Sequence, residues 1–195
     1  MKKIRVGIDV DNVITDFEDL FVKEFNRITK QNLNKEQLLK WNYKEAIRDI
    51  YNTNIYDDLV NEIISTSHFI LNLKFIGNAK EVLRDLYYSK NIEPVIVTAL
   101  VDKMIPFRNK WFEDNFKDCK FEIHYKTDKR NVSVDYFIDD GIHNLDAVST
   151  VIGADNCLCI RTIYNKNSKY RTFDNLEKAI NYIKNKENQN LYECI

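Results

Sequence analysis

The stretch GIDVDNVITDF, Gly7 to Phe17, decides how the rest of the chain is read. It closes an apolar run, IRVGID from Ile4 to Asp9, that suits a short central strand. Directly after that run come two carboxylates, Asp9 and Asp11, one residue apart. Charges this close repel, so something must neutralise them. Apolar residues at helical spacing follow at once: Phe17, Leu20, Phe21, Phe25 and Ile28 predict a helix over Asp16 to Thr29.

Working outward, residues 30 to about 73 contain no convincing strand. Lys35 to Ile47 and Tyr56 to Ile64 read as short amphipathic helices in a segment rich in aromatics, among them Trp41, Tyr43, Tyr51, Tyr56 and Phe69. Regular alternation then sets in. Asn78 to Tyr88 is a helix opened by an Asn cap after Gly77, and Glu93 to Thr98 is a strand. Asp102 to Phe116 is a helix, Phe121 to Tyr125 a strand, and Val134 to Ile138 a strand ending in Asp139 and Asp140. His143 to Val151 is a helix, Cys157 to Arg161 a strand, and Asn175 to Lys184 a final helix. Strands alternating with helices imply an α/β, Rossmann-like core whose parallel sheet is covered by helices on both faces. The expected division is a core of residues 1–15 and 77–190, a helical subdomain of residues 16–76 inserted after strand one, and a frayed tail over 186–195.

Ligands of an open parallel sheet bind at the carboxyl ends of its strands. Asp9 and Asp11 follow strand one, Thr98 ends EPVIVT, Asp139 and Asp140 end VDYFI, and Lys129 precedes that strand in the loop TDKRN. If these strands are neighbours, four carboxylates, a hydroxyl and an ammonium share one edge. A divalent cation resolves the repulsion, and Mg2+ prefers hard oxygen ligands together with substrate phosphate. No His or Cys cluster competes for zinc. A lone DxD also caps helices or sits in turns. It is the combination, each member at the right strand end, that points to phosphate chemistry.

Composition narrows the field. The 195 residues are 44% hydrophobic and 30% charged, with a net charge of −1. That suits a globular chain with a real core and supplies no global basic field for nucleic acid. No apolar run approaches the roughly 20 residues of a membrane span, and MKKIRVGIDV reads as a strand, not a signal peptide. Cys119, Cys157, Cys159 and Cys194 lack metal-ligand spacing and read as free thiols of a reducing cytosol, so the expected location is cytoplasmic. The oligomeric state is not written in the sequence, and a homodimer stays open.

DVDNVITDF, then IVTA, then DK ahead of VSVDYFIDD, resembles the four-motif set of the haloacid dehalogenase superfamily. Within it the chain is most similar to the 5'(3')-deoxyribonucleotidases, which carry a DxDxVxxDF first motif, a helical cap just after it, and a lysine about ten residues before a DD pair. Lys129 stands ten before Asp139. The resemblance covers Ile4 to about Thr162. It implies a magnesium-dependent phosphomonoesterase acting on a small phosphomonoester, a deoxynucleoside monophosphate, through an aspartyl-phosphate.

Carried over by motif, Asp9 is the nucleophile and a metal ligand, and Asp11 is the general acid, its carbonyl also on the metal. Thr98 and Lys129 hold phosphate, and Asp139 and Asp140 bind metal. Two positions depart from the pattern. Asn12 stands where relatives often have Gly or Thr, and Ala99 where they often have Ser. Both remain phosphate-binding candidates: the Asn12 side chain must point away from the phosphate or contact it and its backbone N–H can still serve, while Ala99 offers only its amide. Phe17 matches an aromatic that contacts the nucleobase, with Trp41 and Tyr43 of KWNY as candidates for the facing wall. A sugar phosphate is the alternative substrate. A signalling receiver fits less well, since it places its acidic pair after strand one and its phospho-acceptor after strand three.

Overall fold

Parallel strands need crossovers, and here the crossovers set which strand ends meet. In the computed structural model, β1 (Ile4–Ile8), β2 (Ile92–Thr98), β3 (Glu122–Tyr125), β4 (Tyr136–Asp139), β5 (Cys157–Ile160) and β6 (Arg171–Phe173) form one parallel sheet in the order β3-β2-β1-β4-β5-β6. The structure describes residues 3–193, with side chains to residue 189. Residues 1–2 of the expected core, and 194–195 of the expected tail with Cys194, lie outside them.

The period-2 alternation of each strand divides the apolar residues between two faces. Ile8, Ile96, Ile138 and Leu158 enter one cluster, while Val95, Val97, Phe137, Cys157 and Cys159 enter the other. The first is covered by α5 (Ala79–Tyr87), α6 (Ile105–Asn115) and α8 (Leu176–Glu193), the second by α7 (Ile142–Ile152). This is the expected doubly covered α/β sheet. Gly7 is required where β1 passes β4, because a Cβ there would lie 2.7 Å from Phe137 Cδ2.

Between β1 and α5 lie α1 (Phe17–Thr29), α2 (Tyr43–Tyr51), α3 (Asp57–Ile64) and α4 (Ser67–Leu71). The chain enters and leaves this insertion through a two-stranded neck. Thr15 bridges Phe75 antiparallel, the Asp16 N–H donates to the Lys74 carbonyl at 2.9 Å, and the Ile76 N–H to the Ile14 carbonyl at 2.9 Å. Apolar residues of the insertion, including Phe21, Phe25, Ile47 and Phe69, join the first core cluster, so they have no separate core.

Local structure departs from expectation in several places. The helix expected over Lys35 to Ile47 is instead a 3-10 turn, Lys35–Gln37, followed by α2, because Asn34 closes a capping box with Gln37 and Asn42 then caps a new start. Asn78 is the N-cap of α5 as expected, but its side chain makes no capping hydrogen bond. β6 is three residues long, too short to show an alternation. The frayed tail expected from 186 is helical as far as Glu193. There Tyr136 donates its hydroxyl proton to Glu187 at 2.5 Å and Lys186 donates to the Asp155 carbonyl at 3.3 Å. The polar sequence hid contacts made by individual side chains.

Candidate active site

β1 is flanked by β2 and β4, so the carboxyl ends of these three strands meet where the strand order reverses. Asp9 continues β1, its N–H donating to the Ile138 carbonyl at 2.9 Å. Asp139 ends β4, Thr98 ends β2, and Lys129 comes from a 3-10 turn (Lys129–Asn131) that Asp128 caps. Lys129 is only 3% exposed. Its Nζ lies 2.8 Å from Asp9 Oδ1 and 2.7 Å from Asp139 Oδ2. Burial opposes the lysine charge, but Asp139 and Asp9 outweigh it and hold the ammonium above its ordinary pKa.

Asp139 is held in place from its other side. Its Oδ1 accepts from the Gly141 N–H at 2.7 Å, and Asn144 Nδ2 reaches Oδ1 at 3.1 Å and Oδ2 at 3.2 Å. Asp140 turns the opposite way. Tyr164 donates its hydroxyl proton to Oδ2, and Asn12 Nδ2 stands 3.4 Å from the same atom. Asn165 anchors the strand end by donating to the Asp140 carbonyl at 2.9 Å and the Ile160 carbonyl at 2.7 Å.

Asp9, Asp139 and Asp140 each present an oxygen, and these atoms lie within 4.8 Å of one another. Burial pushes the Asp9 carboxyl up to about 7; Lys129 pulls it back, while Asp139 and Asp11 add to the rise. Burial, then Asp139 and Asp9, hold Asp140 well above the usual carboxylate range. One ammonium is therefore too little charge for this cluster. Three hard oxygens with a charge deficit fit a divalent cation, and the residues present can hold one.

Asp11 lies apart from that cluster. Its carboxylate accepts from Arg108 Nη2, 2.8 Å from Oδ1 and 3.1 Å from Oδ2, and Thr15 Oγ1 lies 3.3 Å from Oδ1. Asn12 takes up the left-handed conformation at φ 59°, which Asn tolerates well. Its backbone N–H donates to the Thr15 carbonyl at 2.8 Å and closes the turn, while the residue itself lines the cleft described below. Its side-chain amide reaches Tyr43 Oη at 3.2 Å and Tyr164 Oη at 3.0 Å.

Above these groups opens a cleft of about 470 Å³, lined by Asp9, Asp11, Thr98, Ala99, Lys129 and Asp140 below and by Phe17, Trp41 and Tyr43 from the insertion. The sheet edge and the aromatic candidates thus share one cavity. Phe17 stacks on Tyr43 with centroids 5.7 Å apart and meets Phe69 edge-on at 4.8 Å.

Residues 2–187 match the sequence profile of the family described as 5' nucleotidase, deoxy (pyrimidine), cytosolic type C protein. The chain belongs to this family. Membership makes it a nucleotidase of the haloacid dehalogenase superfamily, a hydrolase of phosphomonoesters. A 5'(3')-deoxyribonucleotidase of Clostridium acetobutylicum is 28% identical over 147 residues, covering 75% of this chain and 78% of the relative. One from Bacillus subtilis is 28% identical over 150 residues, covering 75% and 81%. Among solved structures, a Bacillus subtilis protein assigned to the HAD-hydrolases and bound to magnesium superimposes with a TM-score of 0.57 at 13% identity, over 94% of this chain and all of that one, 100%. That likeness concerns the fold.

For this nucleotidase, sequence reasoning passed over Arg108, Asn144, Tyr164 and Asn165. Arg108 left a trace. It sits with Met104, Trp111 and Phe112 at helical spacing, a charge on an otherwise apolar stripe. Asn144 lies in the first turn of α7. Tyr164 and Asn165 belong to a polar loop after β5, and only the tertiary fold brings them to Asp140.

Proposed function

We propose that the protein hydrolyses deoxynucleoside monophosphates to nucleoside and phosphate, with Asp9 as nucleophile and Asp11 as general acid and base. The observation that carries this reading is the Lys129 ammonium between Asp9 and Asp139, beneath a cleft walled by aromatic rings. Asp9 attacks phosphorus as the ester P–O bond breaks, and Asp11 gives its proton to the departing oxygen. Water then attacks the aspartyl-phosphate, its proton passes to Asp11, and Asp9 is released. Thr98, Ala99 and Lys129 line the floor of the cleft and are the groups we assign to the phosphate oxygens. Residues 16–76 act as a cap on the core, with Phe17, Trp41 and Tyr43 as the wall that faces the base. Aromatic stacking on a base contributes about 1–3 kcal/mol.

Magnesium, held by Asp9, the Asp11 carbonyl and the Asp139–Asp140 pair, would neutralise phosphate charge that Lys129 leaves uncompensated. The chain's own residues do the remaining work. Lys129 orients Asp9, Asn144 and the Gly141 N–H fix Asp139, and Tyr164 fixes Asp140.

The test is phosphate release from a panel of nucleoside monophosphates and sugar phosphates with magnesium, for wild type and Asp9→Asn. Deoxynucleoside monophosphates should be the best substrates. Asp9→Asn should lose turnover while circular dichroism stays unchanged. A variant that keeps more than about a tenth of the rate would exclude the covalent route, since losing the nucleophile removes the chemical step. A preference for sugar phosphates would favour the alternative substrate class.

A further inference from the structure

We infer that Arg108 is a positioning residue for Asp11, and that it makes the enzyme competent for esters whose leaving oxygen needs a proton. This deepens the proposed function and rests on Asp11 being the general acid. Arg108 stands on α6, the helix that follows Thr98, and is 0% exposed. One nitrogen, Nη2, contacts both oxygens of the Asp11 carboxylate. Its Nε and Nη1 are buried without a hydrogen-bond partner.

A guanidinium kept for stability would have its donors satisfied. Buried charges cost several kcal/mol of desolvation, and apolar residues of similar volume commonly replace such pairs with no loss. Here only one of three nitrogens is bonded, on a face shared with Trp111 and Phe112. What the residue secures is the carboxylate. Asp11 lines the cleft with its side chain 22% exposed, whereas Arg108 does not line it. Arg108 therefore acts through Asp11 and does not touch the substrate. Thr15 Oγ1 meets the same carboxylate at 3.3 Å, so Asp11 is held by one cation and one hydroxyl at the rim of the reacting cluster. Contacts from Nη2 to both oxygens, with Thr15 Oγ1 on Oδ1, fix the position and the plane of the carboxyl. A fixed carboxyl suits a group that must meet an ester oxygen in one step and a water in the next.

Proton donation matters only when the leaving group is a poor one. A nucleoside departs as an alkoxide and needs the proton, while p-nitrophenolate departs without it. The experiment compares first-turnover release of the leaving group by wild type, Arg108→Met, Arg108→Lys and Asp11→Asn on a deoxynucleoside monophosphate and on p-nitrophenyl phosphate, because the later hydrolysis of the aspartyl-phosphate uses Asp11 with either substrate. General acid catalysis contributes about 10²–10⁴-fold, so misplacing the acid should slow that first step on the nucleotide roughly 10- to 100-fold. KM should stay within about threefold, and the rate on p-nitrophenyl phosphate should fall far less. Arg108→Lys should recover part of the loss, and Asp11→Asn should show the same selectivity more strongly. Equal losses on both substrates, or none on either, would overturn the inference. If Arg108→Met does not fold, Arg108→Lys decides alone: a wild-type ratio of the two rates overturns it, and a selective loss on the nucleotide supports it. Failure of the proposed function itself appears elsewhere, as turnover surviving in Asp9→Asn.

Discussion

The indole of Trp41 meets the imidazole of His143 edge to face, with ring centroids 4.2 Å apart. Trp41 belongs to the insertion and His143 to the start of α7, three residues after Asp140. Trp41 is 52% exposed and Phe17 is packed against Tyr43 and Phe69, so their variants should separate binding from stability. Trp41→Ala should raise KM for a nucleotide with little change in Tm. Phe17→Ala should raise KM for the nucleotide about 5- to 150-fold, the equivalent of ~1–3 kcal/mol, and raise it far less for a small phosphate ester. It should also lower Tm by several degrees, at about 2–4 °C per kcal/mol for this chain length. Equal loss on both esters would make Phe17 a packing residue alone.

Lys129 separates two buried carboxylates, and removing it should expose their repulsion. Lys129→Met should abolish measurable phosphatase activity and destabilise the protein by about 3–5 kcal/mol, the usual cost of leaving a buried charge unpaired. Thermal unfolding in chelator reads this directly. Excess magnesium should recover part of the Tm and none of the activity, because the phosphate loses its ammonium as well.

Metal removal tests the same charge deficit from the other side. Chelator should stop turnover and lower Tm, and magnesium should restore both. A ligand at 100 times its Kd adds about 2.7 kcal/mol to folding, which corresponds to roughly 5–10 °C here. Full activity in excess chelator would contradict the proposed site.

Glu18 offers a pH-dependent check outside the acidic cluster. It is buried at the start of α1, and its Oε1 has no hydrogen-bond partner. Burial pushes its carboxyl up from 4.5 to about 7; Lys35 opposes this, and Asp16, Asp19 and Glu36 add to it. The folded state therefore favours the protonated form. Stability from this group is complete below pH 4.5 and is lost as pH rises through 7, by at most about 3 kcal/mol. Glu18→Gln should match wild type at pH 4.5 and exceed it at pH 8 in denaturant unfolding with chelator present. A difference that stays constant across that range would assign the titration to another group.

How far the sequence revealed the protein depended on the kind of signal. Asp9, Thr98, Lys129, Asp139 and Asp140 sit at ends of apolar strands or in the loop just before one, so a one-dimensional pattern locates them and the strand order brings them together. Phe17, Trp41 and Tyr43 were legible as aromatics, and their shared cleft is a tertiary fact. Arg108 was hidden because a charge on an apolar stripe looks like a flaw until its partner, Asp11, is known. Tyr164 and Asn165 reach Asp140 across a loop, and no local periodicity encodes such a reach. That the backbone N–H of Asn12 is taken up by the Thr15 carbonyl, three residues on, is a property of the turn that the motif does not spell out.

The place of β1 in the sheet also matters while the chain is being made. Ile8 pairs with Ile96 on one side and Ile138 on the other, and both partners leave the ribosome long after it. At about 5–20 residues per second, IRVGI waits roughly ten seconds for its second neighbour. Residues 16–76 emerge within that interval, and the Thr15–Phe75 bridge can close before either partner strand exists. The nascent chain thus carries an apolar strand without neighbours beside helices that share its cluster, and the buried faces of both stay uncovered until the later strands arrive.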